Sequence, residues 1–324
     1  MATEFINAKI KTVNGEFIRA ESGFRNWITK DGSPGSTGEG GFPAQPGRYH
    51  LYVSYACPWA HRTLIFRVLK KLENLISVSV VHPLMPEESW VFGQYPGATE
   101  DHINHTHSLS ENYLIADPDF NGLVTVPVLW DRQRQSIVNN ESAEIIRMFN
   151  SAFDDYTHSE DDFYPEDLRE EIDAINKKVY NNINNGVYRC GFARTQQVYD
   201  KAFNQLFNTL DELEAMLASR RYLVGDRITE ADWRLFPTLV RFDSVYYSHF
   251  KTCKKRLTDY PQLWDYTREL YQIPGIAETV NMDHIKKHYF GSHHSINPTG
   301  IIPDGPDIDF MMPHTRHCIA ATSD

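Results

Sequence analysis

Val53-Ser-Tyr-Ala-Cys57-Pro58-Trp59-Ala-His-Arg62 marks the point where a strand pattern gives way to a helix pattern. Just upstream, Arg48-Tyr-His-Leu-Tyr-Val-Ser54 alternates and is rich in β-formers, so it reads as a strand. Pro58 suits a first helical turn, where its missing N–H costs nothing and its φ is already helical. From Trp59 to Leu72, the residues Ala60, Leu64, Ile65, Val68, Leu69 and Leu72 recur at helical spacing. Cys57 therefore faces the partnerless N–H groups and positive dipole end of a helix, which favour thiolate over thiol. The thiolate is the nucleophilic form, so the placement describes a reactive cysteine.

A lone cysteine is most often a small buried apolar residue. Cysteine followed by proline at a strand-to-helix junction shifts the reading to a reactive thiol. Ala60 stands where the second thiol of a C-x-x-C pair would be, so the site cannot close its own disulfide. A one-cysteine site needs a thiol from outside, and glutathione is the obvious supplier.

Downstream, Leu75-Ile-Ser-Val-Ser-Val-Val81 has strand length, and strand–helix–strand implies a parallel pair with a right-handed crossover. Residues 82–122 are polar, broken by Pro and Gly, and read as an insertion. Order returns in Thr125-Val-Pro-Val-Leu-Trp130 and Ser136-Ile-Val138, a hairpin closed through Asp131–Gln135, then in a helix over 141–149. The order βαβ followed by ββα predicts an α/β thioredoxin-like domain over 46–151. It follows an extension (1–45) that ends in a flexible Gly/Ser-rich loop, Asp31–Gly41. An acidic linker (152–166) leads to an all-helical domain (167–290) and a Pro/Gly-rich tail (291–324). Within the helical domain, Ile228-Thr229-Glu-Ala-Asp232-Trp233 has the form of a capping box with a hydrophobic staple.

The 324 residues are enough for two domains, and 41% hydrophobic content supplies their cores. A formal charge of −11 argues against nucleic acid and anionic membranes, whose binding relies on clustered Lys and Arg. No apolar run reaches membrane-span length, and Met1-Ala-Thr-Glu-Phe5 lacks the basic-then-apolar order of a signal peptide. The four cysteines (57, 190, 253, 318) show no metal-ligand spacing, and a reducing, cytoplasmic setting is expected. His102, His105, His107 and the pair His293-His294 read as solvated loop histidines rather than metal ligands.

Two further signals accompany Cys57. Proline in a strand is confined to edges and special turns, so Pro127 alone reads as an edge proline. In a thioredoxin-like domain, however, it precedes the third strand and faces the thiol. A cis-Pro127 there would leave the Val126 N–H and C=O for an extended peptide such as a tripeptide's cysteinyl unit. Asn139-Asn140-Glu141-Ser142 opens the next helix, with Asn140 as the expected N-cap. The first-turn N–H groups and the Ser142 hydroxyl suit a carboxylate, while Glu141 suits an ammonium group; together these describe a γ-glutamyl end. Simple capping explains this motif alone equally well.

These motifs resemble glutathione transferases. More narrowly, Tyr49–Arg62, Val124-Thr-Val-Pro-Val-Leu-Trp-Asp131, Val138–Ser142, Asn184–Tyr188 and His288–Phe290 resemble the Xi class, the glutathionyl-hydroquinone reductases. The resemblance implies glutathione as co-substrate with no permanently bound cofactor, aromatic hydroquinone conjugates as the other substrate, and a homodimer. It implies Cys57 as nucleophile, glutathione contacts at Trp90, Val126, Pro127, Glu141 and Ser142, and a ring pocket lined by Tyr188 and Tyr289. Either tyrosine alone, among 17, is more often a packing ring. Cys190 reads as a packing residue rather than a resolving thiol. Two alternatives use the same fold: an omega-like thioltransferase or dehydroascorbate reductase, and a non-enzymatic ligand carrier. Retention of Cys57 counts against the carrier.

Overall fold

The computed structural model describes residues 12–86 and 89–319, which form two compact units. The first comprises residues 20–162 and 279–292, and the second residues 12–19, 163–278 and 293–319 among those described.

The first unit is built on a four-stranded sheet in the order Ser77–Val80, Tyr49–Val53, Val128–Asp131, Ser136–Asn139. The first pair is parallel and the other two are antiparallel. All five residues of Tyr49–Val53 are buried, so the polar ones need partners inside. His50 finds them in the hydroxyls of Ser77 (2.7 Å) and Ser79 (3.0 Å) on the parallel neighbour. Burial there pushes its pKa down to about 3, which keeps the ring neutral. The helix Pro58–Leu69 packs against the helix Ser142–Ser151, whose Ile145, Ile146, Met148 and Phe149 are at most 1% exposed.

Residues 82–122 are not a featureless insertion. They contain the helix Leu109–Ala116, so the unit runs βαβαββα. Its start is a capping box: Ser108 and Glu111 bond reciprocally, with the Ser108 N–H donating to Glu111 Oε1 at 3.0 Å. Ahead of it, the buried Asp101 carboxylate gathers the Tyr52 hydroxyl, the N–H groups of Ile103, Asn104 and Thr106, the Thr106 hydroxyl and the Asn112 amide. Those bonds hold its pKa below the usual carboxylate value against the opposing effect of burial.

The N-terminal extension is also more structured than its composition suggests. Asn26 N–H donates to Val138 O at 2.9 Å, which covers the outer edge of the sheet. The Asp31–Gly41 loop is closed by Gly41 N–H on Gly32 O at 2.6 Å. Gly38, at φ +70°, would place a Cβ 2.6 Å from Arg25 O, so only glycine fits.

The helix Met282–Ser292, expected in the helical domain, packs with the sheet unit. Its partners are the Tyr95 hydroxyl on Asp283 (2.6 Å), His284 against Pro96 O (2.7 Å), His288 against Pro83 O (3.1 Å) and Met85 N–H on Ser292 (3.0 Å). Helical periodicity tells that residues 282–292 coil; it does not tell which unit they dock on.

The second unit is helical, with Arg169–Val179, Gln196–Leu217, Glu230–Leu239 and Pro261–Tyr271 as its main helices. Thr229 and Asp232 form the expected box: Thr229 N–H donates to Asp232 Oδ2 at 2.8 Å, and Trp233 is fully buried. The other Asp232 oxygen accepts from Leu223 N–H (2.9 Å) and the Tyr266 hydroxyl (2.7 Å). An N-terminal hairpin belongs to this unit, Thr12–Val13 pairing with Glu16–Phe17 through Asn14 and Gly15 at φ +52° and +81°. His293 departs from the sequence reading. It is 9% exposed and hydrogen-bonded to His249 at 3.1 Å, whereas His102, His105, His107 and His294 are exposed. The aromatic surroundings of Phe192 and Phe250 bury it.

Among the described residues, no helix is long and apolar enough to cross a membrane. The same residues hold no cluster of three or more metal-ligating side chains.

Candidate active site

Strand register brings three loops to one end of the sheet. Tyr52, near the end of its strand, lies opposite Val128, so Cys57 and Val126-Pro127 emerge together. Leu129 lies opposite Asn139, which puts the start of the Ser142 helix beside them. This end is where a strand feeds a helix, and where N–H groups point outward.

Cys57 is the N-cap residue of Pro58–Leu69, with extended backbone at φ −77° and ψ 120°. Its carbonyl accepts the His61 N–H at 3.0 Å, and its side chain makes no capping bond. The half-buried sulfur lies 3.5 Å from Val126 O. The Val126–Pro127 bond is cis, and among the described residues nothing accepts the Val126 N–H. Val126 thus borders the thiol with its backbone carbonyl.

The cap of the Ser142 helix is Glu141, not Asn140. Glu141 Oε1 accepts the Ala143 N–H at 3.0 Å and Oε2 accepts the Ser22 hydroxyl at 3.2 Å. Asn140 is engaged elsewhere, its Oδ1 taking the Phe24 N–H and its amide donating to the Tyr113 hydroxyl, both at 3.1 Å. Asparagine outranks glutamate as a local cap, so the sequence favoured the wrong residue; the long-range demand of Phe24 and Tyr113 decided it. Ser142 sits at the first helical position, 3% exposed. Arg25 forks onto Glu144 one turn further on, and its pKa is raised chiefly by that hydrogen bond.

Trp90 follows the strand Ser77–Val80 and stacks on His288 with centroids 4.8 Å apart and planes at 26°. Tyr289 neighbours it on the same helix, 1% exposed. Cys57, Trp90, Val126, Glu141, Ser142 and Tyr289 therefore belong to one unit. Tyr188 belongs to the helical unit, half-buried among Phe17, Phe192, Tyr246 and Phe250. Cys190, two residues on, is 2% exposed, and burial pushes its thiol up to about 12, so it stays protonated.

Residues 56–152 match the family model for the glutathione S-transferase N-terminal domain, and residues 196–269 match that for the C-terminal domain. Glutathionyl-hydroquinone reductase YqjG of Escherichia coli is 56% identical over 307 residues, covering 94% of each chain. Its glutathione-bound structure has a TM-score of 0.90 and 57% identity, over 91% of this chain and 96% of that one. Glutathionyl-hydroquinone reductase PcpF of Sphingobium chlorophenolicum is 51% identical over 296 residues, 91% of each chain. The Xi-class enzyme of Phanerochaete chrysosporium gives a TM-score of 0.88 at 48% identity, over 95% and 98% of the two chains. The chain belongs to the glutathione transferase family. Within that family its relatives place it in the Xi class.

Proposed function

We propose that this protein uses glutathione to reduce glutathionyl-hydroquinones to free hydroquinones. The observation that carries the reading is Cys57: a half-buried thiol at a helix start, bordered by the Val126 backbone, with Ala60 in place of a second thiol. The names of the relatives at 51% and 56% identity point the same way. In the first step the Cys57 thiolate attacks the conjugate's sulfur and the carbon–sulfur bond breaks. The ring carbon takes a proton, hydroquinone leaves, and Cys57 remains joined to glutathione by a disulfide. A second glutathione thiolate attacks the glutathione sulfur of that disulfide, giving oxidised glutathione and regenerating Cys57. The ring carbon gains a proton and the electron pair of the broken carbon–sulfur bond, while one glutathione thiol and the conjugate's thioether sulfur become one disulfide.

Val126, Pro127 and Trp90 hold the cysteinyl part of glutathione in this reading, and Glu141 and Ser142 hold its γ-glutamyl end. The ligand carboxylate meets the Ser142 N–H and hydroxyl, because Glu141 already occupies the Ala143 N–H. Tyr188 and Tyr289 hydrogen-bond the ring oxygens and assist proton delivery. The active form is a homodimer in the cytoplasm, a setting that suits four cysteines kept as thiols.

Loss of one neutral hydrogen bond commonly costs about 0.5–1.5 kcal/mol, or several-fold in kcat/KM. Tyr188→Phe and Tyr289→Phe are therefore expected to slow hydroquinone release several-fold while small-disulfide reduction changes little. Equal losses on both substrates would assign the tyrosines to the scaffold, and no loss on either would favour a thioltransferase. The helix start further predicts that alkylation of Cys57, followed by mass spectrometry against pH, has its inflection below the ordinary thiol value of about 8.5. An inflection at or above that value would remove the dipole from the mechanism.

A further inference from the structure

The hairpin Thr12–Val13/Glu16–Phe17 lies outside the helical bundle, yet its contacts converge on one short stretch of it. Gly15 O accepts the Arg194 N–H at 3.0 Å. Glu16 pairs with Arg189 at 2.6 Å, and Arg19 Nε donates to Asn185 Oδ1 at 2.8 Å. Asn185 and Arg189 bracket Tyr188. Phe17 lies parallel to the Tyr188 ring, with centroids 6.1 Å apart and planes at 26°. The Arg19 guanidinium lies over both rings, 4.9 Å from the Tyr188 centroid and 5.3 Å from that of Phe17.

Packing alone would need only apolar side chains here, since Tyr188 already touches Phe192, Tyr246 and Phe250. A cation over a phenol ring does something more. It attracts the ring's electron density, and any negative charge that builds on the phenol oxygen is stabilised by it. A phenol in that field is a better hydrogen-bond and proton donor. The Asn185 bond anchors the guanidinium at its Nε while the Cζ lies over the Tyr188 ring.

We propose that Arg19, delivered by the N-terminal hairpin, is a positioning residue for Tyr188 and thereby sets the preference for ring-bearing substrates over small disulfides. The inference rests on Tyr188 serving the aromatic substrate, as proposed above. It gives the N-terminal extension a part in selectivity through a residue that itself need not touch substrate.

The test measures kcat and KM for an aromatic glutathione conjugate and for a small glutathione mixed disulfide. The variants are Arg19→Met, Arg19→Lys, Tyr188→Phe and the double variant Arg19→Met/Tyr188→Phe. Arg19→Met is expected to lower the conjugate-to-disulfide ratio of kcat/KM about three- to tenfold, mainly through kcat, with Arg19→Lys recovering part of the loss. The double variant should lose little more than Tyr188→Phe alone, because the arginine acts through that hydroxyl. An unchanged ratio in Arg19→Met beside a reduced one in Tyr188→Phe would overturn the role of Arg19 and leave that of Tyr188 standing. An unchanged ratio in both would overturn the Tyr188 assignment, and the inference with it. Equal losses on both substrates with a lowered Tm, or fully multiplicative losses in the double variant, would reduce Arg19 to a structural tether.

Discussion

Cys57→Ser is expected to yield a folded protein that no longer releases hydroquinone from glutathionyl conjugates, with a rate loss of at least on the order of a thousandfold. The size follows from the chemistry. A serine hydroxyl is scarcely ionised at neutral pH, and it cannot form the mixed disulfide of the proposed cycle. The fold should tolerate the change, because Cys57 makes no side-chain cap and is half-buried. Serine is in fact a favoured N-cap, so the helix Pro58–Leu69 gains rather than loses a local bond. Two measurements decide the matter together: hydroquinone release, and the intact mass after exposure to conjugate, where the glutathione adduct should disappear. Appreciable turnover by a serine variant of normal Tm would sink the nucleophile assignment.

Asp232→Ala should produce the largest loss of stability, about 3–5 kcal/mol. Its carboxylate is fully buried and accepts from the Thr229 and Leu223 N–H groups and from the Tyr266 hydroxyl. Truncation strands these donors and the Thr229 hydroxyl, which also bonds the carboxylate, where water cannot reach them, and each stranded group costs about 1–3 kcal/mol. Burial raises the Asp232 pKa, which the bonds it accepts oppose, so the group is poised between desolvation and its donors. A fall in Tm on the order of 10 °C is expected for Asp232→Ala, and a smaller one for Asp232→Asn, which keeps an acceptor oxygen. A shift of only a degree or two in both would show that Thr229 and its neighbours re-form their bonds without the carboxylate.

What the sequence revealed divides along a physical line. Tyr49–Val53, Pro58–Leu69 and the Val128–Asn139 hairpin were legible because their apolar periodicity is local. The Thr229 box was legible because both partners lie within four residues. Leu109–Ala116 is masked by its polar surroundings, although Ser108-Leu-Ser-Glu111 carries the capping signal in plain view. The first hairpin has strands of two residues, too short for an alternating pattern, although Asn14-Gly15 is a strong turn signal.

The candidate site shows the same divide. The place of Cys57 at a helix start could be read from its neighbours in the chain. The identity of the cap at Glu141 could not, because Phe24 and Tyr113 decide what Asn140 does. Nor could the burial of His293, which depends on His249, Phe192 and Phe250. Residues distant in sequence settle each of these, and no local pattern records them.

The return of Met282–Ser292 to the sheet unit has a consequence for how the protein is made. The unit that carries Cys57 is written in two instalments, with the whole of 163–278 between them. A ribosome delivers the strands, the thiol and its helix early, but Trp90 must wait for His288 and Pro96 for His284 until all of 163–278 has emerged. Cys57 thus exists before its unit is finished. Any premature stop between 163 and 281 leaves a chain with Cys57 but without the helix that Trp90 and Pro96 pack against. Full assembly of the sheet unit is in this way tied to synthesis of residues 282–292.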